Sequence, residues 1–380
     1  MREKKEKESL KILQVLPDMA YGGVEKIVLN YYEQLDHDKY LFDFATHGGK
    51  AAYHDDIIKQ GNHIFYLRSM GQTRYSKYVE QIKKNIRIEE YDIVHIHTGH
   101  LTGVYARAFK RAGAKKIICH AHTTKCVNNK HRWLMPIFKW LTRKYADVCI
   151  ACGKEAGVFC FGKTRYHLLP NGVNFDLYEK VTQEEVNALK KELNIKNDDF
   201  VIGHVGHFST PKNHKFIVNL IDNCGDLGSN VKFVLVGDGP LRTEIESSID
   251  KCDNKDKVML TGIRNDIPVM MKMFDVFILP SLHEGLPVVS IEAQAAGTPC
   301  AVSNTVDTTL DVGLGLVQFL PIDNGCNIWI NHLKRIKNSK LMRMSSKVIH
   351  QALYEHGYDV ASSADKLVEI YNLIRGEKQK

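Results

Sequence analysis

A short stretch of the chain carries two carboxylates on either side of a glycine–proline turn. An apolar run typical of a buried strand is followed by Glu284, then by Gly285 and Pro287, and a helical pattern over 288–296 contains Glu292. The first N–H groups of such a helix are unpaired and carry partial positive charge, which suits a phosphate. Glu292 could then accept hydrogen bonds from a ribose, and Glu284 from a sugar beyond the phosphate. The pattern predicts a site for a nucleotide with a sugar on its diphosphate, and this site needs no metal.

The string from 281 to 292 resembles the two-glutamate signature of retaining glycosyltransferases of family 4. The likeness extends over 262–305 and is close to the bacterial exopolysaccharide and capsular polysaccharide branch. It implies the GT-B fold, an α/β architecture in which two doubly wound, Rossmann-like domains face each other across a cleft. It also implies roles for this loop and helix: catalysis by Glu284, and donor binding by Gly285, Leu286, Pro287 and Glu292.

Two further strings in the second half of the chain are similar to donor-binding segments of the same family. The string 206–213 matches the phosphate clamp, which implies that Lys212 binds the donor and takes part in catalysis. His207 stands where the family usually has arginine, and a histidine is partly neutral at pH 7 whereas an arginine is always charged. Arg264 lies in a string that resembles the loop covering the base of the nucleotide.

The first half of the chain contains two more strings that resemble this family. Gly22 and Gly23 precede a helical pattern over 24–35 and resemble the glycine loop that faces the donor diphosphate and the acceptor. Glycines let a ligand approach the backbone closely at the start of a helix. His122 is the best match to a family histidine near the reacting sugar, which implies a catalytic role.

Strand and helix patterns alternate along the chain with short connections, which is typical of doubly wound α/β domains. The predicted strands form two series: 10–16, 41–46, 63–67, 93–97, 116–122 and 148–152, then 200–205, 231–236, 257–260, 276–280 and 299–303. We expect an acceptor-binding domain over 1–175 and a nucleotide-sugar-binding domain over 176–357. A last helix within 358–380 is expected to pack back on the first domain.

The composition is that of an ordinary globular protein. The 380 residues are 44% hydrophobic and 25% charged, and they contain no apolar run of membrane-spanning length. The highly charged start does not resemble a signal peptide, and nine cysteines without a secretory signal favour a reducing compartment. A cytoplasmic protein is therefore expected.

Two histidine pairs raise a different hypothesis, a metallohydrolase. His95 and His97, and likewise His120 and His122, are two positions apart, so each pair shares one face of a predicted strand. The sequence lacks a helical His-Glu-x-x-His string and a convincing carboxylate ligand near them. The chain is accordingly expected to need no metal or other cofactor.

A basic stretch over 93–146 contains no Asp or Glu and eleven Lys or Arg residues, more than the net charge of +8. Trp133 and Trp140 lie among apolar residues inside it and would share a face if they stood on one unbroken helix. Basic side chains beside tryptophans suit an anionic membrane surface. The alternative is a core helix with solvated lysines, in which both tryptophans are buried. No motif for nucleic-acid binding accompanies the stretch.

The resemblance to glycosyltransferase family 4 implies retaining transfer of a hexose from a nucleotide diphosphate, expected to be UDP, to a hydroxyl of a glycan or lipid-linked acceptor. The protein would act in cell-surface polysaccharide biosynthesis, on the inner face of the plasma membrane. Two alternatives remain open. His207 in the arginine position is compatible with a catalytically silent sugar-nucleotide-binding protein, and a sugar-nucleotide epimerase can use the same fold.

Overall fold

The computed structural model describes residues 9–17, 23–48, 54–124, 126, 129–284, 286–339 and 344–376. The chain divides into two compact units. Unit 1 consists of Met1–Gly172 together with Val360–Lys380, and unit 2 consists of Val173–Asp359. Each unit is built from alternating strands and helices around a parallel sheet, as the sequence predicts.

Unit 1 contains a seven-stranded parallel sheet in the order β3-β2-β1-β4-β5-β6-β7. Its strands are β1 (Leu10–Leu16), β2 (Tyr40–Thr46), β3 (Ile64–Tyr66), β4 (Ile93–Ile96), β5 (Lys116–Ala121), β6 (Val148–Ala151) and β7 (His167–Leu168). Its helices are α1 (Gly23–Gln34), α2 (His54–Lys59), α3 (Tyr75–Asn85), α4 (Thr102–Ala112), α5 (Met135–Tyr145), α6 (Lys154–Phe161) and, from the end of the chain, α15 (Val360–Arg375). α15 packs against α1, so the last helix does return to the first domain.

Unit 2 contains a six-stranded parallel sheet in the order β10-β9-β8-β11-β12-β13. Its strands are β8 (Phe200–Val205), β9 (Val231–Val236), β10 (Val258–Gly262), β11 (Val276–Leu279), β12 (Cys300–Ser303) and β13 (Val317–Leu320). Its helices are α7 (Asp176–Glu179), α8 (Gln183–Glu192), α9 (His214–Asp222), α10 (Arg242–Ile249), α11 (Ile267–Met273), α12 (Val288–Ala295), α13 (Asn327–Asn338) and α14 (Ser346–Glu355).

The sheet of unit 2 is buried on both faces, and two apolar clusters cover it. Val201 and Phe277 belong to one cluster, whereas their neighbours Ile202 and Ile278 belong to the other. This alternation follows from the two-residue period of a strand. Burial on both faces explains why the strands appear in the sequence as continuous apolar runs. Each such fully buried side chain stabilises the fold by about 1.5–3 kcal/mol.

The strand order places a topological switch point in each sheet. In both units the chain runs outward from a central strand to one edge and then returns to build the other side. The switch lies between β1 and β4 in unit 1 and between β8 and β11 in unit 2. Ligands of open α/β sheets bind beyond the carboxyl ends of the strands at this point. A ligand is therefore expected at the loops that follow these four strands.

Candidate functional site

In unit 2 the loops after β8 and β11 are fastened to each other. The side-chain amide of Asn213 donates a hydrogen bond to the carbonyl of Pro280 at 3.0 Å. The backbone N–H of Leu282 donates to the carbonyl of Pro211 at 2.8 Å. These bonds fix the relative positions of the residues that the two loops carry.

Lys212 and Glu284 form an ion pair between these two loops. Lys212 Nζ lies 2.7 Å from Glu284 Oε1, and the two side chains are only 17% and 16% exposed. The hydroxyl of Ser281 donates a second hydrogen bond to the same carboxylate oxygen at 2.8 Å. The structure thus brings together two residues that are 72 positions apart and that the sequence places in separate motifs. A sheltered ammonium group at the switch point is suited to binding an anion.

Helix α12 begins directly after the loop that carries Glu284. Leu286 is half-buried and Pro287 is buried at its start, while Gly285 lies outside the described residues. The first N–H groups of α12 lack partners within the helix, so its N-terminus is a second source of positive potential beside Lys212. The predicted strand–loop–helix arrangement is confirmed.

Glu292 lies further along α12, on its second turn, and is half-buried. The hydroxyl of Tyr178 on α7 is hydrogen-bonded to its carboxylate. Burial, and then the charge and hydrogen bond of Glu292, hold the pKa of Tyr178 well above its usual value. Tyr178 is a residue that sequence reasoning missed, because it stands in a polar connecting stretch without a motif. Its hydrogen bond orients the Glu292 carboxylate.

The loop after β8 also carries His207, whose side chain is exposed. Gly239 lies so close to it that an added Cβ would stand 2.9 Å from His207 Cε1 and 2.5 Å from the carbonyl oxygen of Phe208. A Cβ on Gly237 would stand 2.0 Å from the carbonyl oxygen of Gly206. The glycine turn after β9 therefore has a structural role, because only residues without a side chain can pack this closely against the loop of His207.

Two buried histidines that the sequence analysis did not single out lie behind Lys212. His204 Nδ1 donates to the carbonyl of Ile278 at 2.9 Å, and its ring centroid lies 5.0 Å from that of His214. Burial holds the pKa of His204 well below its usual value, and burial followed by the charge of Lys212 lowers that of His214 to about 4. Both rings are therefore neutral near pH 7, which leaves Lys212 and the exposed His207 as the cationic candidates of this loop.

Arg264 follows β10 and is bound to two carboxylates. Its guanidinium donates to Asp266 at 2.6 and 2.8 Å and to Glu192 at 2.5 Å. These hydrogen bonds raise the pKa of Arg264 above its already high value. These ion pairs hold the Arg264 side chain between α8 and the start of α11. The role of Arg264 in binding the donor base stays a prediction.

His122 follows β5 and lies beside the switch point of unit 1. Its Nε2 lies 2.9 Å from Nδ1 of His97, which follows β4, and Nε2 of His97 lies 2.9 Å from Oε1 of Gln14 on β1. An amide oxygen can only accept, so with this orientation of Gln14 the ring of His97 is protonated on Nε2 and its Nδ1 accepts from His122. Burial lowers the pKa of His122 to about 4, opposed by the nearby side chain of Asn171. His122 is therefore neutral at physiological pH.

The glycine loop after β1 is only partly described. Gly23 is the first residue of α1, as the sequence predicts for a glycine at a helix start. Gly22 lies outside the described residues. The predicted roles of both glycines at the diphosphate stay predictions.

The basic stretch of the sequence does not form one unbroken helix. A 3₁₀ helix, Asn129–Leu134, ends before α5 begins, so Trp133 and Trp140 stand on different elements. Both are exposed, Trp133 at 88% and Trp140 at 47%, so the burial of both tryptophans that the core-helix alternative predicts is wrong, although α5 does pack one face into the core of unit 1. Phe138 and Leu141, which could have added apolar surface beside them, are instead buried in unit 1 because they occupy the inner face of α5.

Across the ranges that the structure describes, no helix is both long enough and apolar enough to cross a membrane.

Comparison with known proteins gives matches over nearly the whole chain. A family described as "Glycosyltransferase Family 4" matches residues 21–177, and one described as "Glycosyl transferases group 1" matches residues 185–312. The putative glycosyltransferase EpsF of Bacillus subtilis (strain 168) is 35% identical over 373 residues, which cover 96% of each chain. An Escherichia coli relative, "UDP-Gal:alpha-D-GlcNAc-diphosphoundecaprenol alpha-1,3-galactosyltransferase", is 28% identical over 94% of this chain and 95% of its own.

Among solved structures, Anabaena Alr3699/HepE in complex with UDP-glucose is similar to this chain with a TM-score of 0.77. The match covers 96% of this chain and 100% of the solved one, at 19% sequence identity. At that identity the likeness bears on the fold alone, and it agrees with the two Rossmann-like sheets described above.

Proposed function

The chain belongs to glycosyltransferase family 4, whose members have the GT-B fold, and we propose that it transfers a hexose from a UDP-sugar to a hydroxyl acceptor with retention of configuration. The acceptor we propose is a growing glycan on a lipid carrier, in the biosynthesis of a cell-surface polysaccharide. The observation that carries the proposal is the Lys212–Glu284 pair beside the N-terminus of α12, at the switch point of unit 2. The printed names of the E. coli relative and of the Anabaena complex support UDP as the nucleotide.

In this proposal Lys212 and the N-terminus of α12 neutralise the diphosphate as the glycosidic bond breaks. The diphosphate of a UDP-sugar carries two negative charges and gains a third when it leaves with the electron pair of the glycosidic bond, so its stabilisation is the main electrostatic task of the enzyme. Lys212 now pairs with Glu284, and donor binding redirects its ammonium group toward the phosphates. Glu284 then accepts hydrogen bonds from the sugar hydroxyls, while Glu292 accepts those of the ribose. No divalent ion is needed at the phosphates, because the cationic groups belong to the chain.

The acceptor hydroxyl would approach on the face that the diphosphate leaves, with His122 near the reacting sugar. Because burial lowers the pKa of His122 to about 4, it would act as a neutral imidazole rather than as a cation. With Nε2 of His122 donating to His97, its Nδ1 is left as an acceptor with no partner among the described residues. A neutral acceptor nitrogen suits a hydrogen bond from a sugar or acceptor hydroxyl.

A lipid-linked acceptor requires the enzyme to approach a membrane, and we propose that the basic stretch 93–146 provides the contact. Trp133, Leu134, Ile137 and Trp140, here called the apolar patch, are all exposed and lie within eight residues of the chain. The ammonium group of Lys144 lies 4.9 Å from the centre of the Trp140 ring, so cationic and aromatic groups are intermixed. Each Lys or Arg near an anionic leaflet contributes about 1 kcal/mol to binding. The patch would hold the protein reversibly at the cytoplasmic leaflet.

The test is an assay of the purified protein with a panel of UDP-sugars, with and without a membrane extract as the acceptor. The proposal expects transfer of one sugar to the lipid fraction. Release of a free sugar, or formation of an epimeric UDP-sugar in the absence of acceptor, would favour hydrolysis or epimerisation instead. Binding of a UDP-sugar without any turnover would identify a silent binding protein.

A further inference from the structure

Three histidines of unit 1 lie together beneath the C-terminal helix α15. We call His95, His97 and His120 the histidine cluster. They lie at the carboxyl ends of β4 and β5, on the sheet face that Tyr371 of α15 covers. All three are at most 2% exposed, and one ring nitrogen of each lies within 4.8 Å of those of the other two.

The histidine cluster contains polar atoms that no described residue satisfies. Nε2 of His95 and both ring nitrogens of His120 are buried and lack a hydrogen-bond partner among the described residues. Most buried polar atoms in proteins are paired, so three unpaired nitrogens at one place require a physical explanation. A buried water or a metal ion that contacts several imidazole nitrogens at once would satisfy them together, and the experiments below distinguish the two.

Two rings of the cluster are held from behind by hydrogen bonds. Nε2 of His97 donates to Oε1 of Gln14 at 2.9 Å, and Nδ1 of His95 lies 2.9 Å from the hydroxyl of Tyr371. Gln14 and Tyr371 are in turn hydrogen-bonded to each other at 3.2 Å. Histidines that bind metals are usually held in this way by a partner on the nitrogen that does not bind the ion.

We propose that the histidine cluster binds one transition-metal ion of the Zn²⁺ type, which serves the stability of unit 1. Three imidazoles are a ligand set that such ions accept, whereas Mg²⁺ and Ca²⁺ prefer oxygen. Zinc–nitrogen bonds of about 2.0–2.1 Å place tetrahedral ligands about 3.3 Å apart, so the rings must draw together by rotation. His122 releases its hydrogen bond to Nδ1 of His97, and a water or hydroxide completes the coordination.

The ion would have a structural role, because the cluster is closed to solvent and a substrate cannot reach it. A hydrolytic metal site must admit its substrate, so the burial of the three histidines favours a structural role over the metallohydrolase hypothesis. The proposal departs from the sequence-based expectation that the chain binds no metal. It does not change the expectation that the donor phosphates in unit 2 are bound without a metal ion. Through Gln14 and Tyr371 the ion would connect β1, β4 and β5 to α15.

The first test is the metal content of the purified full chain, measured by mass spectrometry after purification without added metal or nickel resin. The wild type is expected to hold about one zinc per chain, and His120→Phe to hold at least tenfold less. The matched control is His214→Phe in unit 2, since His214 is equally buried, both its nitrogens are also unpaired, and it belongs to no such group. The control should keep the zinc.

Thermal unfolding separates the metal site from an empty histidine cluster. If the cluster is empty, His120→Phe removes two unpaired nitrogens and should raise Tm, as should His214→Phe. If the cluster holds zinc, His120→Phe should lower Tm and make it insensitive to a chelator that destabilises the wild type. Tyr371→Phe should weaken zinc binding by about 10–100-fold, as loss of a partner behind a ligand does.

If His120→Phe fails to fold, titration of zinc into the metal-free wild type tests instead whether the histidine cluster binds the ion. One tight site, with about three nitrogen neighbours in X-ray absorption, supports the proposal. A wild type that neither contains zinc nor binds it in the titration overturns the proposal. None of these measurements depends on sugar transfer, so their outcome is independent of the proposed activity.

Discussion

Changing Glu284 to Gln should tighten the binding of UDP while it weakens sugar transfer. In the free protein Glu284 holds the ammonium group of Lys212 at 2.7 Å. UDP carries the diphosphate but no sugar, so it uses Lys212 without offering hydroxyls to Glu284. In the wild type, UDP binding must therefore weaken the Lys212–Glu284 ion pair. In Glu284→Gln this cost is smaller, because a neutral amide binds the ammonium group of Lys212 more weakly. The same substitution removes the carboxylate that we assign to the sugar hydroxyls, so transfer should fall.

The size of the effect follows from the burial of the pair. Exposed ion pairs contribute about 0.2–1 kcal/mol, and removing one partner of a fully buried pair costs about 3–5 kcal/mol. With side chains 17% and 16% exposed, and with part of the Coulomb energy offset by desolvation, the Lys212–Glu284 pair should contribute about 1–2 kcal/mol. Relief of that interaction corresponds to a gain of about 5–30-fold in affinity for UDP.

Isothermal titration of UDP into the wild type and Glu284→Gln measures the effect. Glu246→Gln is the matched control, because it removes a carboxylate from an ion pair of unit 2 with Arg242 that we assign no role in binding. The control should bind UDP with the affinity of the wild type. If Glu284→Gln binds UDP as the wild type does, or more weakly, the phosphates do not compete for Lys212 and the reasoning is refuted.

Four further expectations follow from the same geometry. Glu292→Ala should weaken donor binding by about 10–100-fold, and Tyr178→Phe should weaken it less, because Tyr178→Phe only frees the Glu292 carboxylate from a buried hydrogen bond. Titration of the donor measures both effects, and unchanged affinity in both variants would contradict the assignment of Glu292. Transfer should need no added Mg²⁺ or Mn²⁺, and an absolute need for either ion would contradict a metal-free phosphate site. His207→Ala should weaken UDP binding and His207→Arg should restore it, because an arginine is always charged and can bind a diphosphate with two hydrogen bonds; unchanged affinity in both variants would remove His207 from the phosphates. Trp133→Ser with Trp140→Ser should abolish sedimentation with anionic liposomes yet leave a folded protein, and a wild type that ignores such liposomes at low salt would end the membrane proposal.

The sequence predicts those parts of the fold that depend on local pattern. Apolar runs locate both strand series because parallel strands are buried on both faces, and Gly285 with Pro287 locates the start of α12. The short strands β7 and β13 are absent from the prediction. β7 has only two residues, both exposed, and β13 is only partly buried, so neither gives an apolar run.

Contacts between distant parts of the chain could not be predicted in the same way. The partner of Glu292 is Tyr178, 114 positions earlier, and the partner of His95 is Tyr371, 276 positions later. Neither tyrosine stands in a motif, and each is recognisable only once its helix has docked. The exposure of Trp133 could not be predicted either. The helical pattern of apolar residues around it continues across the point where the 3₁₀ helix ends and α5 begins.

The most direct measurement of the central claim is a crystal structure of this protein with UDP. The account predicts a diphosphate within hydrogen-bond distance of Lys212 Nζ and of the first backbone N–H groups of α12, with the ribose at Glu292 and no divalent ion between phosphate and protein. A diphosphate bound away from the switch point of unit 2, or one bridged to the protein by a metal ion, would contradict it.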